Sequence, residues 1–200
     1  LIKYMCLLFE TIKIAGGKIF NLPYHNRRMN RARRELFGAE DLLNLEDFIE
    51  IPPESENIIT RCRVIYGLSV QSVEYSQYTP ALITTLKLVE GSNIDYSFKY
   101  LDRSSLNALV DKNAADDILI IKNGYVTDCS FANIVFYDGN RWTTPATPLL
   151  QGTMREMLIQ NGVIKEDFIK VDHLQKLSYF RLINAMLGFD APMQPISNIV

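Results

Sequence analysis

One stretch leaves this chain few choices: an apolar run over 118–122, then Asn123-Gly124, then 125–128. Asn-Gly tolerates positive φ at both central residues of a type I′ turn, the turn whose twist matches that of paired strands. A hairpin is therefore expected here. A second follows over 134–137 and 141–144 about Asp138-Gly139-Asn140. Next comes a helix over 152–160, ended by Asn161-Gly162. Consecutive hairpins exclude a doubly wound parallel sheet, whose strands need crossover connections.

The first half carries the same kind of signals. A strand over 5–14, a turn at Ala15-Gly16-Gly17 and a strand over 18–21 form another hairpin. Pro23 suits a first helical turn, and 24–38 reads as a helix ending on Gly38. With Met29 at the centre of its apolar face, a 100° advance per residue brings Ala32, Leu36 and His25 inward, with Arg28 at the edge. Arg27, Arg31 and Arg34 point away. Arg33 falls inward, where a snorkelling side chain is the expectation. Residues 40–57 read as helix then loop, 61–66 and 68–75 as strands, and 76–80 as a linker. Near the end, Asp172 is placed to cap a short helix to 177, and 179–186 reads as a strand. The expectation is an α/β (α+β) fold with a small domain over 1–78 and a larger one over 79–200.

Charge and composition narrow the function. With 21 Lys+Arg against 23 Asp+Glu, the net charge of −2 argues against a nucleic-acid coat. A hydrophobic share of 48% supplies a packed core. Three cysteines (Cys6, Cys62, Cys129) without CxxC spacing, and two distant histidines (His25, His173), suggest neither a disulfide framework nor a metal site. Free thiols suit the cytoplasm. The apolar run 5–9 is too short for a signal peptide or a membrane span, so no membrane partner is expected. There is no P-loop, GxGxxG, HExxH or GxSxG motif.

Four features could carry chemistry. Lys99 follows an aromatic stretch, where desolvation makes an amine a better nucleophile; on spacing alone, a surface lysine at a strand end is the plainer reading. Asp128 lies between the two hairpins and could be buried against a cation, although turn aspartates are more often exposed. Gly152-Thr153-Met154 opens a helix, a place for phosphate or for a simple cap. The arginines between Arg27 and Arg34 could form a nucleic-acid patch; a solvated face balanced by the following acids is the plainer reading. Arg28 stands apart, because a guanidinium at the core's edge needs an anion.

In order along the chain come Phe9-Glu10-Thr11-Ile12, His25-x-x-Arg28, Lys99, Asp128-x-Ser130-x-x-Asn133, Thr144-Pro145, Leu150-x-Gly152-x-x-Arg155 and Asn184-Ala185-Met186. This ordered set resembles the class IV aminotransferases, the fold-type IV family of pyridoxal phosphate enzymes that includes D-amino acid aminotransferase. The resemblance implies a two-domain architecture with the cofactor in the cleft, and a cytoplasmic homodimer. It implies that Lys99 attaches the cofactor aldehyde and then serves as general acid and base. It further implies that Arg28, the backbone of Gly152, Thr153 and Met154, and Asn184 with Ala185 hold the cofactor phosphate. Asp128, near Asn133, would pair with the pyridine nitrogen. The family usually has Glu at that position, and aspartate reaches one methylene less far.

Lys99-Tyr100-Leu101-Asp102-Arg103 and the 179–186 segment resemble the 4-amino-4-deoxychorismate lyase branch. That branch implies formation of 4-aminobenzoate and pyruvate for folate synthesis, with Lys13, Arg61 and Arg103 as candidates for the substrate carboxylates. The alternatives are an aminotransferase acting on branched-chain or D-amino acids, and a non-enzymatic or degenerate protein of the same fold.

Overall fold

The computed structural model describes residues 6–111 and 114–200, in two compact units. One holds the chain up to Pro80 together with Phe98–Asp102; the other holds Ala81–Ser97 and Arg103–Val200. Lys99, expected within 79–200, thus groups with the first unit. The cause is backbone pairing: Phe9 N–H donates to the Lys99 carbonyl at 3.0 Å and Leu101 N–H to the Leu7 carbonyl at 2.8 Å.

The first unit contains β1 (Leu8–Ala15), β2 (Lys18–Ile19), α1 (Leu22–Phe37), β3 (Thr60–Tyr66) and β4 (Val70–Gln77). Its antiparallel sheet has the order β2-β1-β3-β4. Met5, where the first strand was expected to begin, lies outside the described residues. Gly16 and Gly17, at φ 55° and 63°, make the turn between β1 and β2. Alternation puts Leu8, Ile12 and Ile14 of β1 and Cys62, Val64 and Tyr66 of β3 in one apolar cluster with Leu22, Met29 and Ala32 of α1. The expected helix face is therefore the observed one, with His25 also fully buried and Leu36 half-buried.

Arg33 does not snorkel. It is 1% exposed, and all five of its N–H groups find acceptors. Nε donates to the Leu68 carbonyl, Nη1 to Asn30 Oδ1 and the Asp41 carbonyl, and Nη2 to both Asp41 carboxylate oxygens, all at 2.9–3.0 Å. Asp41 itself is largely exposed.

Residues 40–57 form 3-10 turns at Leu45–Asp47 and Pro53–Glu56 rather than a helix. Asn30 on α1 bonds both the N–H and the carbonyl of Leu43, and Asn26 accepts from Leu45 N–H. These side chains take up backbone groups that a helix would use. β4 runs to Gln77, so the expected linker loses its first two residues to a strand.

The second unit contains β5 (Leu86–Glu90), α2 (Ser104–Asn107), β6 (Asp117–Lys122), β7 (Tyr125–Cys129), β8 (Asn133–Tyr137), β9 (Trp142–Pro145), α3 (Thr153–Gln160), β10 (Lys165–Asp167), β11 (Tyr179–Ile183) and β12 (Gln194–Pro195). Its sheets have the orders β5-β6-β7 and β10-β9-β8-β11-β12, with β5 parallel to β6 and β9 parallel to β10. Asn123 and Gly124 have φ of 53° and 77°, as the Asn-Gly turn requires. Ile134, Val135 and Phe136 are all fully buried, so β8 is covered on both faces. Asp172 caps nothing: it lies inside a 3-10 turn, Val171–Lys176, preceded by Lys170. β11 stops at Ile183 because Asn184 Oδ1 accepts from the N–H groups of Met186 and Leu187, both at 2.8 Å, and turns the chain.

Replacing Arg33 by Ala leaves the Leu68 and Asp41 carbonyls and the Asn30 amide oxygen short of a donor above a cavity. Urea denaturation is expected to show a loss of about 3 kcal/mol. A loss under about 1 kcal/mol would contradict this account of the buried guanidinium.

Candidate functional site

The first unit gathers Lys99, Arg28, Lys13 and Arg61. At its centre is Glu10, on the helix-facing side of β1 and 0% exposed. A carboxylate in an apolar layer must be paired. His25 Nδ1 lies 2.6 Å from Glu10 Oε2, while Arg28 donates through Nε to Oε1 at 2.9 Å and through Nη2 to Oε2 at 2.5 Å. The helix supplies both partners because His25 and Arg28 are three residues apart on one face. Burial works against the Glu10 charge, but the Arg28 guanidinium and the His25 bond prevail, and the carboxyl falls to about 2. Burial pushes the His25 imidazole down, so the neutral ring donates from Nδ1. The anion required by Arg28 at the sequence level is thus supplied, in this unit, by Glu10. That role could have been sought in the motif Phe9-Glu10-Thr11-Ile12, whose even residues face the helix.

Lys99 extends its amine over the Phe9 ring, with Nζ 4.6 Å from the centroid. Its backbone is fixed by the Phe9 and Leu101 bonds described above. Lys13 and Arg61 are cross-strand neighbours on the opposite side of the sheet from Glu10. Lys13 Nζ lies 5.4 Å over Phe20, and the exposed Arg61 donates to Ser76 Oγ at 3.2 Å.

The second unit gathers Asp128, Asn133, Gly152, Thr153, Met154, Asn184, Ala185 and Arg103. Asp128 is 4% exposed, so the exposed turn aspartate is not what the fold makes. Oδ1 accepts from Asn133 Nδ2 at 2.7 Å and Oδ2 from Leu150 N–H at 2.9 Å. Among the described residues no cation lies within salt-bridge distance of it, and desolvation pushes its carboxyl up to about 6. Asn133 also donates to the Leu150 carbonyl at 2.9 Å. Gly152 lets this happen: a Cβ there would sit 1.9 Å from Asn133 Oδ1. Asp128, Asn133 and the start of α3 are therefore one hydrogen-bonded unit.

Gly152 caps α3, Thr153 is buried in its first turn, and Met154 packs with Val135 and Leu158. The Asn184 amide oxygen is used in its own turn. Arg103 donates to the Ser130 carbonyl and lies 5.8 Å over Tyr96. Burial raises the Cys129 thiol, leaving it a neutral packing group. An open pocket of about 530 Å³, lined by Tyr96, Lys122, Tyr125, Pro148, Leu149 and Phe168 among others, also lies in this unit; none of the expected site residues lines it. Among the described residues no helix is long and apolar enough to cross a membrane, and no cluster of three ligating side chains could hold a metal ion.

Asp128 has a stated pH signature. Its folded-state pKa of about 6 exceeds the ordinary 3.8, so the folded chain holds a proton that the unfolded chain has released. The stabilisation is complete below about pH 4 and lost as pH rises through about 6. The stability of the unmodified protein relative to Asp128→Asn is expected to fall across that window by up to about 3 kcal/mol. Denaturation at several pH values measures this, and a flat or rising difference would contradict it.

The sequence profile of the family described as amino-transferase class IV matches residues 96–199, more than half of the chain. An uncharacterised protein of Haemophilus influenzae is 42% identical over 184 residues, covering 90% of this chain and 98% of its own. A Schizosaccharomyces pombe protein provisionally named an aminodeoxychorismate lyase is 26% identical over 200 residues, covering 89% of this chain and 85% of its own. A crystal structure from Haemophilus somnus, provisionally assigned as a 4-amino-4-deoxychorismate lyase, is 34% identical with a TM-score of 0.86, covering 93% of this chain and 99% of that one. A hypothetical aminotransferase of Mycobacterium tuberculosis in its pyridoxal phosphate-bound form shares the fold at 17% identity and a TM-score of 0.70, covering 96% and 81%. Over a mixed α+β fold that matches these structures, this chain belongs to the class IV aminotransferase family of pyridoxal phosphate-dependent enzymes.

Proposed function

We propose that this protein is a lyase that converts 4-amino-4-deoxychorismate to 4-aminobenzoate and pyruvate, with pyridoxal phosphate as its cofactor. The observation that carries the reading is Lys99, an amine held on an aromatic platform by a backbone paired to β1, within a Lys99-Tyr100-Leu101-Asp102-Arg103 segment of the lyase type. The 34% identity to a structure provisionally assigned to this reaction, over nearly both whole chains, supports it.

The residues present suit the cofactor. Asp128 is a buried carboxylate whose raised pKa marks an environment that a protonated ring nitrogen would relieve. Bound there, pyridoxal phosphate supplies an aldehyde for amines and a ring that withdraws electrons from the adjacent carbon. Lys99 would be the amine that holds the cofactor aldehyde and gives way to the substrate amine. Lys99 would also be the base for the proton on the amine-bearing carbon, the proton whose removal precedes release of pyruvate and aromatisation. In the first unit Arg28 would bind the phosphate, with Glu10 fixing how its guanidinium is turned and His25 bonded to the same carboxylate. In the second unit, Gly152, Thr153 and Met154 would offer N–H groups of the α3 N-terminus to a phosphate, with Asn184 and Ala185 as further candidates. Asn133, through its bond to Asp128, would hold that carboxylate in place for the ring nitrogen. As in the resemblance set out above, the protein works as a cytoplasmic homodimer on a small carboxylate substrate and serves folate synthesis.

The test is stoichiometric. Purified protein with pyridoxal phosphate and 4-amino-4-deoxychorismate, without any keto acid, is expected to release pyruvate and 4-aminobenzoate in equal amounts. Turnover that instead requires an amino acid and a keto acid would replace the lyase with an aminotransferase.

A further inference from the structure

The open pocket of the second unit lies apart from every residue assigned to the cofactor. Its volume of about 530 Å³ falls within the roughly 300–1,000 Å³ of small-molecule sites. Its walls are fixed by bonds that do not depend on an occupant. Pro148 and Leu149 precede Leu150, whose N–H and carbonyl are both taken, by Asp128 and Asn133. Tyr125 lies in β7, and Phe168 precedes Ile169, whose carbonyl accepts from Val126 N–H at 2.8 Å. The Tyr125 and Phe168 rings meet edge to face at 6.0 Å. Phe168 is nevertheless 65% exposed, a large ring that the chain's own packing leaves uncovered.

Two opposite charges line the same pocket, and each is held by a neighbour. Lys122 is half-buried, and its Nζ donates to the Ile94 carbonyl at 2.8 Å. An ammonium has three N–H groups, so two remain. Asp95 Oδ1 accepts from the Ser97 hydroxyl at 2.7 Å and the Ser97 N–H at 3.2 Å. Those bonds, and then the Lys122 charge, hold the Asp95 carboxyl below its usual range. Its Oδ2 accepts from nothing among the described residues, and Lys122 and Asp95 form no ion pair with each other there. A fixed cation and a fixed anion that share a pocket without meeting suit a ligand bearing both complementary charges. The aromatic wall of Tyr125 and Phe168, with Pro148 and Leu149 beside it, suits an apolar ring attached to them.

We infer that this pocket is a second ligand site, which takes the zwitterion of an aromatic α-amino acid. Lys122 receives the carboxylate, Asp95 receives the ammonium, and the ring lies against Tyr125 and Phe168. The occupant is bound and not transformed, because neither Lys99 nor Asp128 lines the pocket. The inference does not rest on the lyase reading, and it holds whichever reaction Lys99 serves.

The test is calorimetric titration of L-phenylalanine into cofactor-loaded protein, with three analogues that each lack one feature. They are 3-phenylpropanoate without the ammonium, 2-phenylethylamine without the carboxylate and L-alanine without the ring. Each is expected to bind at least about tenfold more weakly than L-phenylalanine. Lys122→Gln is expected to weaken L-phenylalanine about tenfold and to leave 2-phenylethylamine within about twofold. Asp95→Asn is expected to do the same to L-phenylalanine and to spare 3-phenylpropanoate. Both variants are expected to keep the unmodified turnover, which shows that they are folded. The cofactor's visible band, recorded in the same titration, is expected to stay in place. No binding of L-phenylalanine up to about 10 mM would overturn the inference. So would an affinity unchanged in either variant, or binding that shifts the band, since that places the amino acid at the cofactor.

Discussion

The buried carboxylate of Glu10 sets the terms for the first unit. It occupies the middle of an apolar strand face, where an unpaired charge would cost several kcal/mol. The fold answers with two residues one helical turn apart, His25 and Arg28, which tie α1 to β1 through three contacts on two oxygens. The consequence goes beyond stability. A guanidinium engaged edge-on by a carboxylate cannot swing, so Arg28 is presented in one orientation. The neutral His25 completes the arrangement without adding a charge that would compete for Glu10.

Asp128 plays the corresponding part in the second unit, with the opposite electrostatics. Its partners are an amide and a backbone N–H rather than cations, so burial prevails and its affinity for a proton rises. The chain keeps this arrangement compact through Gly152, where any side chain would displace Asn133. One carboxylate is held ionised by its neighbours and the other is left in want of a positive partner. That contrast separates a structural anchor from a group suited to a ligand.

Much of the local structure was legible because it is encoded locally. The Asn123-Gly124 hairpin follows from φ preferences, and the buried face of α1 follows from 100° periodicity about Met29. The same wheel turned Arg33 inward; its five acceptors come from Asn30 one turn away and from loop residues Asp41 and Leu68, which no periodicity reveals. What stayed hidden depends on pairing between distant segments. The return of 98–102 to β1 is one case. The parallel pairing of β5 with β6 is another, because 86–90 carries no turn to announce its partner. The 3-10 turns within 40–57 were missed because asparagines on α1 capture that segment's backbone. The family motif named most of the candidate site residues. It did not reveal that Glu10 anchors Arg28.

The most direct measurement is reduction of the protein with borohydride in the presence of pyridoxal phosphate, followed by peptide mass spectrometry. The account predicts one stable cofactor adduct, on Lys99, and loss of the visible absorbance band in Lys99→Ala. An adduct spread over surface lysines, or an undiminished band in the variant, would contradict it.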